Sequence, residues 1–154
     1  MKIWLPHNIS TYQRIIMKTP IQLRFNDIDQ MGHVNNAVIM EFFDLGKSEY
    51  FTTIGLPPEE GDFTVMVVHV EVDFMNQIRF HDKVHVVTHV DHFGTKSLSV
   101  KQQVLNSETG EVCATCRTVM AGYCRSTGAS AVIPNTIKEA ILRYEEDSIL
   151  KKDE

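Results

Sequence analysis

Residues 24–50, RFNDIDQMGHVNNAVIMEFFDLGKSEY, decide how the rest of the chain is read. An alternating apolar/polar run ends here with two acids, Asp27 and Asp29. A Gly-His turn (Gly32, His33) follows, then two amides, Asn35 and Asn36, and then the apolar period changes from two to three or four. Ile39, Phe42, Phe43, Gly46, Tyr50 and Ile54 fall on one stripe, which Val38 and Leu45 widen. The pattern predicts a strand over about 21–27, entered at Pro20, and a largely buried helix from Asn35 to about Ile54. Gly55, Leu56, Pro57 and Pro58 end that helix. Gly46 costs a mid-helix position about 1 kcal/mol, so its expected use is a close approach to a neighbouring sheet. A carboxylate, a histidine and capping groups thus share the short junction between a strand and a helix. Rigid scaffolds present reactive groups at such places.

Working outward, the chain reads as strands almost to its end, over 63–74, 83–92, 96–106 and 111–125. Turns fall at Phe93-Gly94 and at Ser107-Glu108-Thr109-Gly110. A helix over 135–150 and a polar tail, Lys151 to Glu154, close it. Long strands joined by tight turns predict an antiparallel meander. The one helix that is apolar nearly all round must then lie across the concave face of that sheet. The expected class is α+β, with a curved antiparallel sheet wrapped around one long buried helix, the hotdog architecture. Residues 1–19 read as an N-terminal extension and 20–150 as a single domain; a length of 154 residues suits one core.

A composition of 43% hydrophobic and 23% charged residues excludes a disordered or fibrous chain. Net charge of −5 with scattered basic residues argues against nucleic acid as a partner, since phosphate binding needs a basic face. No apolar run is long enough to span a bilayer. The N-terminus has neither a continuous apolar core nor a small-residue cleavage site. With three cysteines, an odd number, the expectation is a cytoplasmic protein with free thiols.

Other groupings carry less. Cys113 and Cys116 lie three apart on a strand and so diverge, and Cys116 and Cys124 are about 26 Å apart along it; buried thiols filling the core are the better reading. His85 and His89 share a strand face at roughly 13 Å, too far to chelate one ion. In 65–74 an apolar face (Val68, Val70, Val72, Phe74) alternates with an ionisable one (His69, Glu71, Asp73). The plain reading of the second is a solvated face, and the sharper one makes His69 or Glu71 a further polar group of the site. Arg24, Lys83, Lys96, Lys101 and Arg117 are cations available to an anionic small molecule if they gather locally, with ordinary surface charge as the default for each.

Arg24, Asp27, Asp29, Gly32, His33, Val34, Asn35 and Asn36, followed by Phe43 and Tyr50, resemble the acyl-CoA thioesterases of the hotdog superfamily. The likeness is in particular to the 4-hydroxybenzoyl-CoA thioesterase-like family, and His33 to Asn36 are also similar to the plant acyl-carrier-protein thioesterases. The resemblance extends more weakly through Gly55–Pro58 and the strand spacing to about Arg125. It implies that Asp29 is the catalytic carboxylate, acting as nucleophile or as general base on water, and that His33 belongs to the site. It places Asn36 at the edge of the acyl pocket; Phe43, and Gly32, where the turn can bring backbone close to a ligand, are further candidate substrate-binding residues. Two departures stand out. Met31 occupies a position where the plant enzymes use an asparagine, and the glycine whose amide polarises the thioester carbonyl falls near Thr64, with Gly61 just upstream as a replacement. In dimers of this fold the strand region that contains His69 lies near the subunit interface and the active site.

The residues support the same chemistry physically. Thioester hydrolysis needs a nucleophile or activated water, a donor for the developing oxyanion and room for the acyl group. A carboxylate just before a helix is close to the free N–H groups and positive dipole end of its first turn. The amides from His33 to Asn36 are thus candidate carbonyl donors. Taken alone, Asp27 and Asp29, two apart on one strand face, would be turn acids or caps, Asn35 an N-cap, and His33 a hydrogen-bonded turn residue. Their combination, with the resemblance, puts Asp29 forward. The expectation is hydrolysis of acyl-CoA or acyl-carrier-protein thioesters, without metal or organic cofactor, by a homodimer or homotetramer. The alternatives are an acyl-thioester-binding module without turnover and another hotdog reaction such as enoyl-thioester hydration.

Overall fold

The computed structural model describes residues 17–56 and 61–150, with side chains through 146. Most of the expected extension, Pro57 and Pro58, and the tail after 150 lie outside the described residues. The order is β1 (Met17–Ile21), a 3-10 turn (Phe25–Asp27), α1 (Asn36–Thr53), β2 (Phe63–Phe74), β3 (Val84–Phe93), β4 (Ser97–Asn106), β5 (Val112–Cys124) and α2 (Asn135–Leu150).

Helix α1 begins and ends where local chemistry dictates. Asn35 caps it, its side chain accepting from Ala37 N at 2.8 Å. At the far end Leu56 N donates to Phe51 O and Gly55 N to Thr52 O, with Gly55 at φ 73°, a left-handed Schellman stop. One face of α1 (Ile39, Phe42, Phe43, Gly46, Lys47, Tyr50, Phe51) is buried against β1, β3 and β4. The other face is exposed, and Leu45, read as part of the stripe, stands 46% exposed on it. At Gly46 the expectation holds: an added Cβ would meet Val86 Cγ1 at 2.7 Å, so the helix rests directly on the sheet there.

All strand pairings are antiparallel, in the order β1-β3-β4-β5-β2. The hotdog arrangement is therefore present, but only β3, β4 and β5 form the expected meander. β2 pairs with β5 at one edge instead of with β3, and the segment 75–83 crosses over to β3. Two apolar clusters fill the space beneath the helices. One gathers Ile39, Phe42 and Phe43 with Val86, Val104 and Ala114, and the other Tyr50 and Phe51 with Leu98, Val100, Ile137 and Ile141 of α2. A carboxylate closes the second: Glu145 Oε1 accepts from Tyr50 Oη at 2.7 Å and from Val90 N at 2.9 Å. Burial and the adjacent Glu145 push the Tyr50 phenol well above its ordinary pKa.

The first strand corrects the sequence reading. Strand β1 covers 17–21, with Pro20 inside it, and not 21–27. Residues 17–19, assigned by sequence to the extension, belong to the sheet. Pro20 is tolerated because β1 is an edge strand, where a missing N–H can face outward. Residues 25–27 turn because Asp27, 2% exposed, accepts from Arg24 N at 2.7 Å and from Arg24 Nη2 at 3.2 Å. Phe25, whose spacing mimicked a strand, is left 82% exposed. Asp27 and Asp29 thus share no strand face.

Candidate active site

Between Ile28 and Val34, which meet in an antiparallel bridge, the chain makes a tight turn with Asp29 at its base. Asp29 N donates to His33 O at 2.8 Å and Gly32 N to Asp29 O at 3.1 Å, while Gly32 takes φ 81°. A side chain with a Cβ rarely adopts that conformation, so the glycine is what lets the turn close. The Asp29 carboxylate is held by the same turn: Oδ1 accepts from Met31 N at 2.8 Å and from His33 N at 3.3 Å. Its other oxygen, Oδ2, makes no hydrogen bond with the described residues, and Asp29 lines an open cleft. One carboxylate oxygen is thereby fixed and the other left available.

The turn is pinned to its surroundings on both sides. Val34 N donates to Ile78 O at 2.8 Å, and Asn35 N to Asp27 O at 2.9 Å. Across the cleft, the segment after β2 is anchored to β5: Met75 N and Asn76 N both reach Cys113 O, at 2.8 and 3.0 Å, and Asn76 Nδ2 donates to Val112 O at 2.7 Å. Between these walls lies a cavity of about 380 Å³. Asp29, Met31, His33, Val34, Asn36 and Ile39 line it from the junction, and Phe74 to Ile78 from the facing segment.

Of the residues singled out from sequence, Asp29, His33 and Asn36 come together in this cavity, with Gly32 shaping the turn. Phe43 does not line it; at 1% exposure it is packed in the core. Thr64 pairs with Tyr123 near the start of β2, about 33 Å along the strand from Phe74. It cannot place its amide in this cavity within one chain, nor can Gly61 before it. His69 lies on β2 away from the cavity, its Nε2 2.9 Å from Glu71 Oε1, and this contact with Arg117 nearby lowers the Glu71 pKa. Three of the amides proposed as carbonyl donors are already committed, those of His33, Val34 and Asn35. Among the described residues Asn36 N has no acceptor.

Sequence reasoning missed the facing wall, Phe74 to Ile78. A signal existed, the break of strand alternation at Met75-Asn76-Gln77. Its proximity to Asp29, however, depends on the Val34–Ile78 and Asn76–Val112 bonds, which no local pattern reveals. The five candidate cations do not converge. Arg24 pairs with Asp27, Lys83 with Glu108, Lys101 with Asp91 and Arg117 with Glu71, while Lys96 donates to Ser130. Cys113 and Cys116 are buried free thiols in the α1 cluster, and burial pushes Cys113 up to about 11. Cys124 is half-buried and donates to Asp62, whose carboxyl it lowers. Among the described residues no three His, Cys, Asp or Glu side chains gather to hold a metal ion, and no helix is long and apolar enough to cross a membrane.

The chain belongs to the thioesterase-like superfamily, whose family model matches residues 23–141. Among solved structures it is similar to a thioesterase from Thermus thermophilus complexed with coenzyme A and Zn, at 32% identity and a TM-score of 0.72 over 84% of this chain and 93% of that one. It is also similar to a predicted thioesterase from Bacillus stearothermophilus, at 28% identity and a TM-score of 0.73 over 84% and 96%. A curated relative, the uncharacterized protein YsmA of Bacillus subtilis (strain 168), is 24% identical over 79% of this chain and 82% of its own.

Proposed function

We propose that this protein hydrolyses acyl-CoA thioesters to a free acid and coenzyme A, with Asp29 as the reacting carboxylate. The observation that carries the proposal is the state of that side chain: it lines the cavity, Oδ1 is fixed by two amides of its own turn, and Oδ2 has no partner among the described residues. A carboxylate so held needs no reorganisation before it reacts. Oδ2 either takes a proton from water as the water oxygen bonds to the thioester carbon, or forms that bond itself. The carbonyl π pair moves onto oxygen, and its return expels the thiolate, which takes up a proton. Were Asp29 to bond directly, water then cleaves the anhydride and restores the carboxylate. His33, whose backbone closes the turn, positions substrate or water. Membership of the superfamily and the likeness to a thioesterase that binds coenzyme A support the choice of CoA as carrier.

The test is thiol release from short, long and aromatic acyl-CoAs and from acyl-carrier-protein thioesters, with Asp29→Asn beside the parent. The parent is expected to release thiol and free acid, and Asp29→Asn to lose at least about 100-fold in kcat. Tight acyl-CoA binding without thiol release identifies a binding module instead, and a hydroxyacyl thioester product identifies a hydratase. Full activity in Asp29→Asn removes that residue from the chemistry.

A further inference from the structure

Most of the backbone donors near Asp29 are already committed. In the Asp29 turn, Met31 N and His33 N go to Asp29 Oδ1, Val34 N to Ile78 O and Asn35 N to Asp27 O. On the facing wall, Met75 N and Asn76 N share Cys113 O, and the Asn76 carboxamide is spent on Val112 O. Two amide residues on the cavity wall remain uncommitted among the described residues, Asn36 at the start of α1 and Gln77 on the segment after β2.

Geometry separates these two. A nucleophile approaches a thioester carbon from one face of the carbonyl, while the lone pairs of the oxygen lie in the carbonyl plane, off that line of attack. With attack coming from the Asp29 turn, a donor for the oxygen is best supplied from a different wall. Gln77 stands on one, and its backbone is held on either side. Asn76 before it makes a backbone and a side-chain bond to β5. Ile78 after it is 1% exposed, and its carbonyl accepts Val34 N. A free carboxamide on a fixed backbone is a suitable preorganised donor.

We infer that Gln77 polarises the substrate carbonyl: its side-chain N–H groups bind the oxygen as charge develops on it. The inference rests on the thioester-hydrolysis reading and supplies the donor for which Thr64 and Gly61 are too distant in the chain. Gln77 itself exchanges no proton. It donates hydrogen bonds that strengthen as charge builds on the oxygen and weaken when the carbonyl re-forms and the thiolate leaves.

Removing one oxyanion donor from an enzyme costs roughly 100-fold to 1,000-fold in kcat. For a solvent-exposed donor in an open cleft the loss is smaller, and Gln77→Ala is expected to lower kcat by roughly 10-fold to 100-fold with little change in KM. Gln77→Glu keeps the shape but replaces the donor with a negative acceptor, and is expected to lose more. Gln77 is exposed, so both variants should unfold at the parent temperature. A second readout is the infrared stretch of a 13C-labelled thioester carbonyl bound to Asp29→Asn protein. It should lie below that of the free thioester and move back toward it when Gln77→Ala is added.

Thiol release by the parent, its loss in Asp29→Asn, and parental kcat in both Gln77 variants would overturn the Gln77 assignment alone and leave hydrolysis standing. A raised KM with an unmoved carbonyl band would do the same, showing a contact elsewhere on the substrate. No thiol release from the parent overturns both readings.

Discussion

Asp27 and Asp29 are the same residue type two positions apart, and their surroundings give them opposite work. Asp27 is buried, accepts the backbone and guanidinium of Arg24, and offers its own carbonyl to Asn35 N, so it joins the 3-10 turn to the start of α1. Asp29 is exposed and spends one oxygen on its turn. Removing the Asp27 carboxylate leaves a partly buried amide without its acceptor, a cost of about 1–3 kcal/mol. Asp27→Ala is therefore expected to lower the unfolding temperature by several degrees, followed by circular dichroism. Asp29→Asn, on the surface and still able to accept a hydrogen bond, should stay within about 0.5 kcal/mol of the parent while losing turnover. Equal destabilisation by the two would refute this division of roles.

At the scale of the elements, Gly46 shows how a weak local choice is overruled by packing. Alanine would favour the helix by about 1 kcal/mol. Its Cβ, however, would stand 2.7 Å from Val86 Cγ1 and 3.1 Å from both Gln102 Nε2 and Thr88 Oγ1. None of the three yields readily. Val86 is a fully buried β-branched residue with a stiff χ1. Gln102 Nε2 is tied to Phe43 O at 2.8 Å and to Thr88 Oγ1 at 3.0 Å. Overpacking of this kind costs about 1–3 kcal/mol, so Gly46→Ala should destabilise the fold by a net of about 1–2 kcal/mol in urea unfolding. A stability gain would mean that α1 rides higher on the sheet. The same contrast explains what the sequence revealed. The ends of α1, the four later strands and α2 were legible because caps, turn glycines and apolar periods are local. β1 was misplaced because Phe25 continues the alternation of Ile21 and Leu23, while the chain turns there through the bonds of Asp27 to Arg24. The position of β2 beside β5 was not legible, since partner choice is a long-range matter that no period encodes. In the site, Asp29, His33 and Asn36 could be read because they are contiguous. Gln77 could not, because only the sheet brings it to the same cavity.

Considered as a whole, the molecule has two sheet edges that are treated very differently. β1 is five residues long and contains Pro20, two devices that discourage further pairing. β2 is twelve residues long, has no proline, and is mostly exposed. Met66, Val67, Val68, Val70, Phe74 and Met75, all on it or just after it, make up half of the large apolar side chains exposed among the described residues. An unpaired edge of that length and character invites a second strand, and an isologous pairing of β2 with β2 satisfies its backbone and covers its apolar side chains in one step. We propose that the protein works as a homodimer joined along β2. Phe74 and Met75 also line the cavity, so pairing there would bear on the site itself. Val68 is the residue to change: it sits in the β-bulge between Val67 and His69 and is 57% exposed, so a lysine there leaves the β2–β5 ladder intact. Light scattering after gel filtration at micromolar concentration is expected to give a dimer for the parent and a monomer for Val68→Lys. Turnover should fall in the monomer, with the unfolding transition still cooperative. A monomeric parent, or a dimer untouched by Val68→Lys, would show that this edge is covered in another way.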